Sequence, residues 1–449
     1  MTTQPRPSIQ PPAGFTFPVP VTRELPNGLT VWSYHLPGQH VVSALLVLDL
    51  PLDVEPAELE GIATIAVRAS DEGTLAHPGQ ELLDEMEAAG AAFEASAAAN
   101  ATILGIDVPS TRLARALPLL AEIARTPAHA DTDVQRHVAL RLAELEQSRI
   151  SAPSLASLAF RQALYDPASR VQRPFGGREA TVAAITPEQV RAFRAAHWGP
   201  EGATLILAGE FDEGLDDTVE ELFGTWQAPV EPVRHVVPLP SAADQGRVVH
   251  LVDLPGAVQT EIRIGGIGVD RTSRDFAPLQ VSATALGGSF GSRLNTVLRE
   301  EKGFTYGAHM GVQPNRLGGT WSVQTSVRNA VTAEALTDAL DILTLTEAFT
   351  AEEITDATSY QLGIAPLRYD TAGAIANQAG GLAAAGWTSD FVNLHFARIA
   401  QVTADTATEA ARRILALDRA KIVLVGDASE LTGQLEAAGF TVEPLVVNL

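Results

Sequence analysis

The spacing of histidines, cysteines and carboxylates limits first what chemistry this chain could carry. It has no cysteine, which removes disulfides, thiol nucleophiles and cysteine-based zinc sites but leaves open zinc held by His and carboxylates. His129 and His137 stand eight apart, and His35 and His40 bracket a Pro-Gly turn. Neither pair has the spacing that sets two imidazoles one turn apart on a helix with a carboxylate beside them. No metal site is expected in this chain. The stretch GGSFGSR (287–293) follows a helical pattern and lacks GxxxxGK[ST], so it is not read as a phosphate cradle. Gly287 and Gly288 instead suggest a close backbone approach near a cavity.

Two helices carry the remaining candidates. GIATIAVRASDEGT (61–74) lies in a pattern that Pro56 can open and Gly73 can close, giving about four turns over 56–72. Thr64, Val67, Arg68 and Asp71 fall on one face, while Ile62, Ile65, Ala66 and Ala69 supply a packing face. By itself this is an ordinary alanine-rich helix. In the second half, Phe276, Leu279, Ala283 and Leu286 recur with helical period until Gly287-Gly288 interrupts them. A further helix holds Leu294, Val297 and Leu298, with Arg299 and Lys302 in its last turn, Gly303 as its stop, and an extended FTYGAHMGV after it. On these grounds alone Arg299 is a helix-end cation favoured by the dipole, and Tyr306 a strand residue.

The elements that must position these residues repeat. Ile185-Thr186-Pro187-Glu188 opens a helix followed by ATLILAGEFD. Val402-Thr403-Ala404-Asp405 opens another followed by AKIVLVGDAS, at a constant offset of 217 residues. That supports an internal duplication. The Pro-rich segment 228–247 reads as a linker between halves at 22–227 and 248–449, and residues 1–21 as a flexible N-terminal arm. Strand patterns (GLTVWSYHL, HVVSALLVLDL; EIRIGGIGV, GGTWSVQTSV) mix with amphipathic helices in each half. The class is α+β, as two homologous lobes, each a mainly antiparallel sheet with helices packed on one side.

With 449 residues, 46% of them hydrophobic, the chain can bury more than one core. No apolar run is long enough for a membrane span, and the first twenty residues lack a secretory signal, so a cytoplasmic protein without membrane contact is expected. Its 54 acidic against 31 basic side chains give a formal charge of −23. This surface repels nucleic acid; it could attract basic peptides or serve solubility alone.

LPNGLTVWSYHLPG (25–38), the Gly61 helix ending in EGT, LLDEMEAAGAAFEASAAANAT (82–102) and LGGSFGSRLNTVLREEKGFTYG (286–307) come in an order that resembles the pitrilysin/insulinase-type metallopeptidases. The resemblance runs from about residue 22 over nearly the whole chain and implies a clamshell of two lobes. In that family the helix after the glycine carries the inverted zinc motif HxxEH. Its three positions fall here on Thr64, Val67 and Arg68, none of which can do the work: Thr is a poor zinc ligand, Val accepts no proton, and Arg is a permanent cation. The third zinc ligand falls on Glu144. Arg68 is therefore expected to replace the metal's charge by pairing with Glu144, although Glu144 also reads as a solvated helix residue.

The resemblance further implies that Arg299 and Tyr306, donated from the C-terminal half, hold the peptide carbonyl and the oxyanion that forms when water attacks. Glu94 stands where the family has an Asn on the strand that pairs with substrate, which puts peptide strand addition at that edge in doubt. A chain with the Arg/Tyr pair and no zinc motif is half a site. Some bacterial members work as heterodimers, so the chain is expected to be a zinc-less subunit. It would complete a partner's HxxEH site and have zinc only in that partner, with peptides as substrate. The alternative is a non-catalytic peptide-binding or assembly scaffold of the same fold.

Overall fold

VVSALLVL and KIVLVG are nearly unbroken apolar runs, and such a strand is stable only when both its faces are covered. In the computed structural model, which describes residues 14–212, 214–227, 233–244 and 246–449, these runs are inner strands of two six-stranded sheets. The first sheet contains β1 (Val21–Glu24), β2 (Thr30–His35), β3 (Val41–Leu48), β4 (Ala92–Ala97), β5 (Thr102–Pro109) and β6 (Thr204–Gly209), in the order β1-β2-β6-β3-β5-β4. The second contains β7 (Val248–Asp253), β8 (Gln259–Ile267), β9 (Ala308–Pro314), β10 (Gly319–Arg328), β11 (Lys421–Gly426) and β12 (Thr441–Pro444), in the order β12-β7-β11-β8-β10-β9. Pairing is antiparallel except for β2 with β6, β7 with β11, and β7 with β12. The architecture is the expected α+β clamshell of two like lobes.

The duplication is visible residue for residue. Helices Pro187–His197 and Ala404–Leu415 start 217 positions apart, and so do β6 and β11. Both helices begin with a threonine capping box, in which the side chains of Thr186 and Thr403 accept from the backbone three residues on.

One face of each sheet carries helices of its own half. Alternate β3 residues Val42, Ala44, Leu46 and Leu48 enter a core with Ile62, Ile65, Leu117 and Leu120. The other faces exchange helices. Ile375, Ala376 and Ala379 of helix Ala372–Ala384 cover Leu45, Val47 and Ile206 of the first sheet. Leu155, Ala156 and Ala159 of helix Ala152–Leu164 cover Val252, Val423 and Val425 of the second. Each half thus lends one helix to the other, and that explains why both runs are apolar at nearly every residue.

The described parts of the arm and of the linker are bonded to the folded body. The arm's first thirteen residues lie outside those described, but its end is fixed. Phe17 is fully buried, Asn393 bonds both its N–H (2.8 Å) and its carbonyl (2.9 Å), and Phe15 stacks on Tyr369. An aromatic side chain buried between the halves outweighs the extended, Pro-rich character of the segment. The linker is tied down as well over its described part: Asp166 N–H donates to Leu239 and Ser241 N–H to Leu164, both at 2.9 Å. Among the described residues no helix is long and apolar enough to cross a membrane.

Candidate functional site

The helix anticipated over 56–72 is shorter than its pattern. Turns of 3-10 type at Leu52–Val54 and Ala57–Leu59 precede a helix that runs only from Ile62 to Arg68. Gly61 interrupts it with φ at +102°, a conformation that glycine tolerates. The exposed N–H groups of Gly61 and Ala63 both donate to Glu55 Oε1 at 3.0 Å, so a side-chain carboxylate caps the helix. Glu55 Oε2 in turn accepts from Arg170 Nη2 at 2.6 Å and Nε at 2.9 Å, with both residues buried. Glu60, 1% exposed, takes Arg173 Nε at 2.8 Å. Asp71 lies beyond the helix and does not share its face.

On this helix Val67 is buried in the core, while Thr64 and Arg68 are half-exposed. Arg68 Nη1 donates to Glu144 Oε1 at 2.7 Å, the pairing expected from the sequence. Glu144 sits on helix Asp131–Ser148 and also takes Arg141 Nη1 at 3.1 Å. Partial burial would raise the Glu144 carboxyl, but the two arginines outweigh it and hold it below the usual carboxylate range. The pair is not deeply buried: its side chains are 35% and 44% exposed.

A zinc ion does not fit these residues. The guanidinium occupies the carboxylate, Thr64 offers one hydroxyl, and Val67 points into the core. The other histidines are scattered. His129 Nε2 donates to the Ala66 carbonyl at 2.8 Å, and burial pushes it down to about 4. His137 bonds Glu72 at 2.8 Å, and His40 meets Glu210 at 3.1 Å. Among the described residues no three His, Asp or Glu are gathered as metal ligands.

The second half presents its pair differently. Helix Phe276–Ala283 continues into a π-turn at Thr284–Gly288, and a short helix Arg293–Asn295 into another at Thr296–Glu301. Such widened turns often mark functional sites. Gly287 is required for packing, since a Cβ there would meet the backbone N and Cβ of Met310 on β9 at 2.8 Å. Gly288 is looser, with its nearest neighbours at 3.3 Å or more. Arg299 lies in the second π-turn, its guanidinium carbon 4.2 Å from the ring centre of Phe290 and 5.4 Å from that of Tyr306. Among the described residues its only ionic contact is Glu300 at 3.3 Å. Tyr306 is 93% exposed and Phe290 65%. The structure therefore brings Arg299 and Tyr306 together, with Tyr306 turned to solvent and Arg299 partly exposed. Phe290, which backs the guanidinium, was not singled out from sequence, though it lies within the quoted glycine-rich loop.

Residues 30–169 match the family model described as insulinase (peptidase family M16), and residues 184–359 the one described as peptidase M16 inactive domain. The chain belongs to the insulinase-type M16 peptidase family. Among M16 relatives, it is 25% identical over 285 residues to an uncharacterized zinc protease of Rickettsia felis, covering 63% of this chain and 67% of that one. It is 27% identical over 359 residues to an uncharacterized zinc protease of Mycobacterium bovis, covering 79% of each. Its fold is that of a crystal structure of a peptidase M16 inactive domain from Pseudomonas fluorescens, with a TM-score of 0.82 at 21% identity over 91% of this chain and 98% of that one. In this M16 chain, helix Ile62–Arg68 carries Thr64, Val67 and the Arg68 to Glu144 ion pair.

Proposed function

We propose that this M16 chain is the zinc-less subunit of a two-chain metallopeptidase. The partner is a homologous chain with an intact HxxEH site, which holds the zinc and its activated water. This chain presents Arg299 and Tyr306 to a peptide bound there, where they position the scissile carbonyl and donate to the oxyanion that develops. The observation that carries this reading is the Arg299 to Tyr306 contact at 5.4 Å with Tyr306 almost fully exposed. An arginine held by ring stacking keeps its donors available, and an exposed phenol is suited to a surface completed by another chain. The exchange of zinc ligands for an ion pair at Arg68 and Glu144 supports the same division of labour.

The test is reconstitution. The chain is co-purified from its native host, the associated HxxEH chain identified by mass, and peptide cleavage measured for each alone and for the mixture. Cleavage is expected only on mixing, and Arg299→Ala or Tyr306→Phe in this chain should lower kcat/KM by about 100-fold or more. Unchanged activity in both variants would sink the assigned roles. A complex that binds peptide without cleaving it would place the chain instead as a peptide-binding scaffold.

A further inference from the structure

A cavity of about 410 Å³ lies in the C-terminal half, lined by neither Arg299 nor Tyr306. Its apolar walls include Phe276 at the start of one helix and Phe391 and Phe396 on helix Phe391–Ile399. Arg271 lines it without an acidic partner among the described residues. Its one hydrogen bond is a long 3.4 Å contact to the Pro314 carbonyl, and it lies 5.8 Å from the Phe391 ring centre. Burial alone pulls this guanidinium below its usual range, with no neighbouring carboxylate to oppose the shift. Arg170 in the N-terminal half, by contrast, is held by Glu55. A half-buried cation facing a cavity without a counter-charge is costly unless a ligand supplies one.

The second observation is His395, 9% exposed, which also lines the cavity and stacks on Phe391 at 5.4 Å and 11°. Its Nε2 is hydrogen-bonded to Gln280 Oε1, and its Nδ1 has no partner. Burial pushes His395 down to about 4, so it is neutral at ordinary pH and owns a single N–H. That proton is spent on Gln280, which leaves Nδ1 as a buried acceptor in need of a donor.

We infer that this cavity binds the C-terminal residue of a peptide with an aromatic or large apolar side chain. Arg271 takes the terminal carboxylate, His395 Nδ1 accepts the residue's amide N–H, and the side chain packs among Phe276, Phe391 and Phe396. The three requirements of the site are an anion, a donor and an apolar body, and a terminal acylated residue carries all three on adjacent atoms. A volume of this size lies within the range of small-molecule pockets.

The test uses the full chain without any partner, so its failure and that of the proposed function are separable. Calorimetric titration compares N-acetyl-phenylalanine, its C-terminal amide, phenylacetate and a short peptide ending in phenylalanine. Trp387, whose ring lies 5.0 Å from that of Phe391, gives an independent fluorescence signal. The acetylated acid and the peptide should bind alike, the amide and phenylacetate about tenfold or more weakly, as expected when one charge-assisted or buried hydrogen bond is lost. Arg271→Gln should erase the preference for acid over amide while Arg271→Lys keeps part of it, both with an unchanged melting temperature. Acid and amide binding alike, neither binding, or an acid preference that survives Arg271→Gln would overturn the inference. Binding of the single residue but not of the peptide would overturn its assignment to peptide ends.

Discussion

Arg68 Nη1 donates to Glu144 Oε1 at 2.7 Å, joining helix Ile62–Arg68 to helix Asp131–Ser148. Half-exposed ion pairs contribute little, so Arg68→Ala should lower stability by about 1 kcal/mol or less, with Arg141 still bonded to the carboxylate. The Glu144 carboxyl is held low in the folded chain. Its contribution is therefore present above the unfolded glutamate value of about 4.3 and lost as pH falls through the folded one. Urea unfolding at neutral pH and near pH 3 should show the wild-type and Arg68→Ala curves converging in acid.

If the Arg68 helix is a vacated metal helix, the double substitution Thr64→His with Arg68→His should recreate a zinc site together with Glu144. Both positions are half-exposed and one turn apart, so neither change requires repacking of the core. About one zinc per chain is expected after equilibration at about 10 μM free zinc, roughly ten times the dissociation constant of a site worth ~8 kcal/mol. An elemental analysis showing no metal above wild type would mean that the helix faces are misaligned for ligation.

The buried Glu55 to Arg170 pair is the costliest contact to break in the N-terminal half. Arg170→Met leaves a buried carboxylate that still caps the Ile62–Arg68 helix but has lost its counter-ion. A loss of about 3–5 kcal/mol is expected, read from the denaturant midpoint. Replacing an exposed arginine such as Arg115, paired with Glu85, should cost about 1 kcal/mol or less in the same assay.

His129 and His395 are both buried and neutral, each pushed down to about 4. The unfolded chain takes up their protons near pH 6.5, before the folded chain does. Stability should therefore fall as pH drops from about 6.5 towards 4, by a few kcal/mol for the two together at most. Thermal unfolding across that range checks the slope, and His395→Gln should flatten it. A slope that is the same in the variant would show that His395 is not the group titrating.

The sequence by itself determined the repeating framework, because its signals are local. Threonine caps, strand runs of uniform apolarity and the 217-residue offset each act within one element and survive any packing. The resemblance to the metallopeptidase family, rather than any local pattern, singled out Arg299 and Tyr306, seven residues apart on either side of the Gly303 turn, and paired Arg68 with Glu144. Tertiary structure decided what depends on contacts between distant residues. Glu55 and Arg170 are 115 positions apart, and no local pattern marks two charges that will be buried together. The helix that periodicity alone would have carried back to 56 starts only after Gly61, where the Glu55 carboxylate, which comes from outside it, caps it. The crossed helices at 152–164 and 372–384 look alike whether they cover their own sheet or the other one. The cavity around Arg271 and His395 exists only where several helices of the C-terminal half meet β9, so its unpaired cation and free imidazole nitrogen became visible only in the fold.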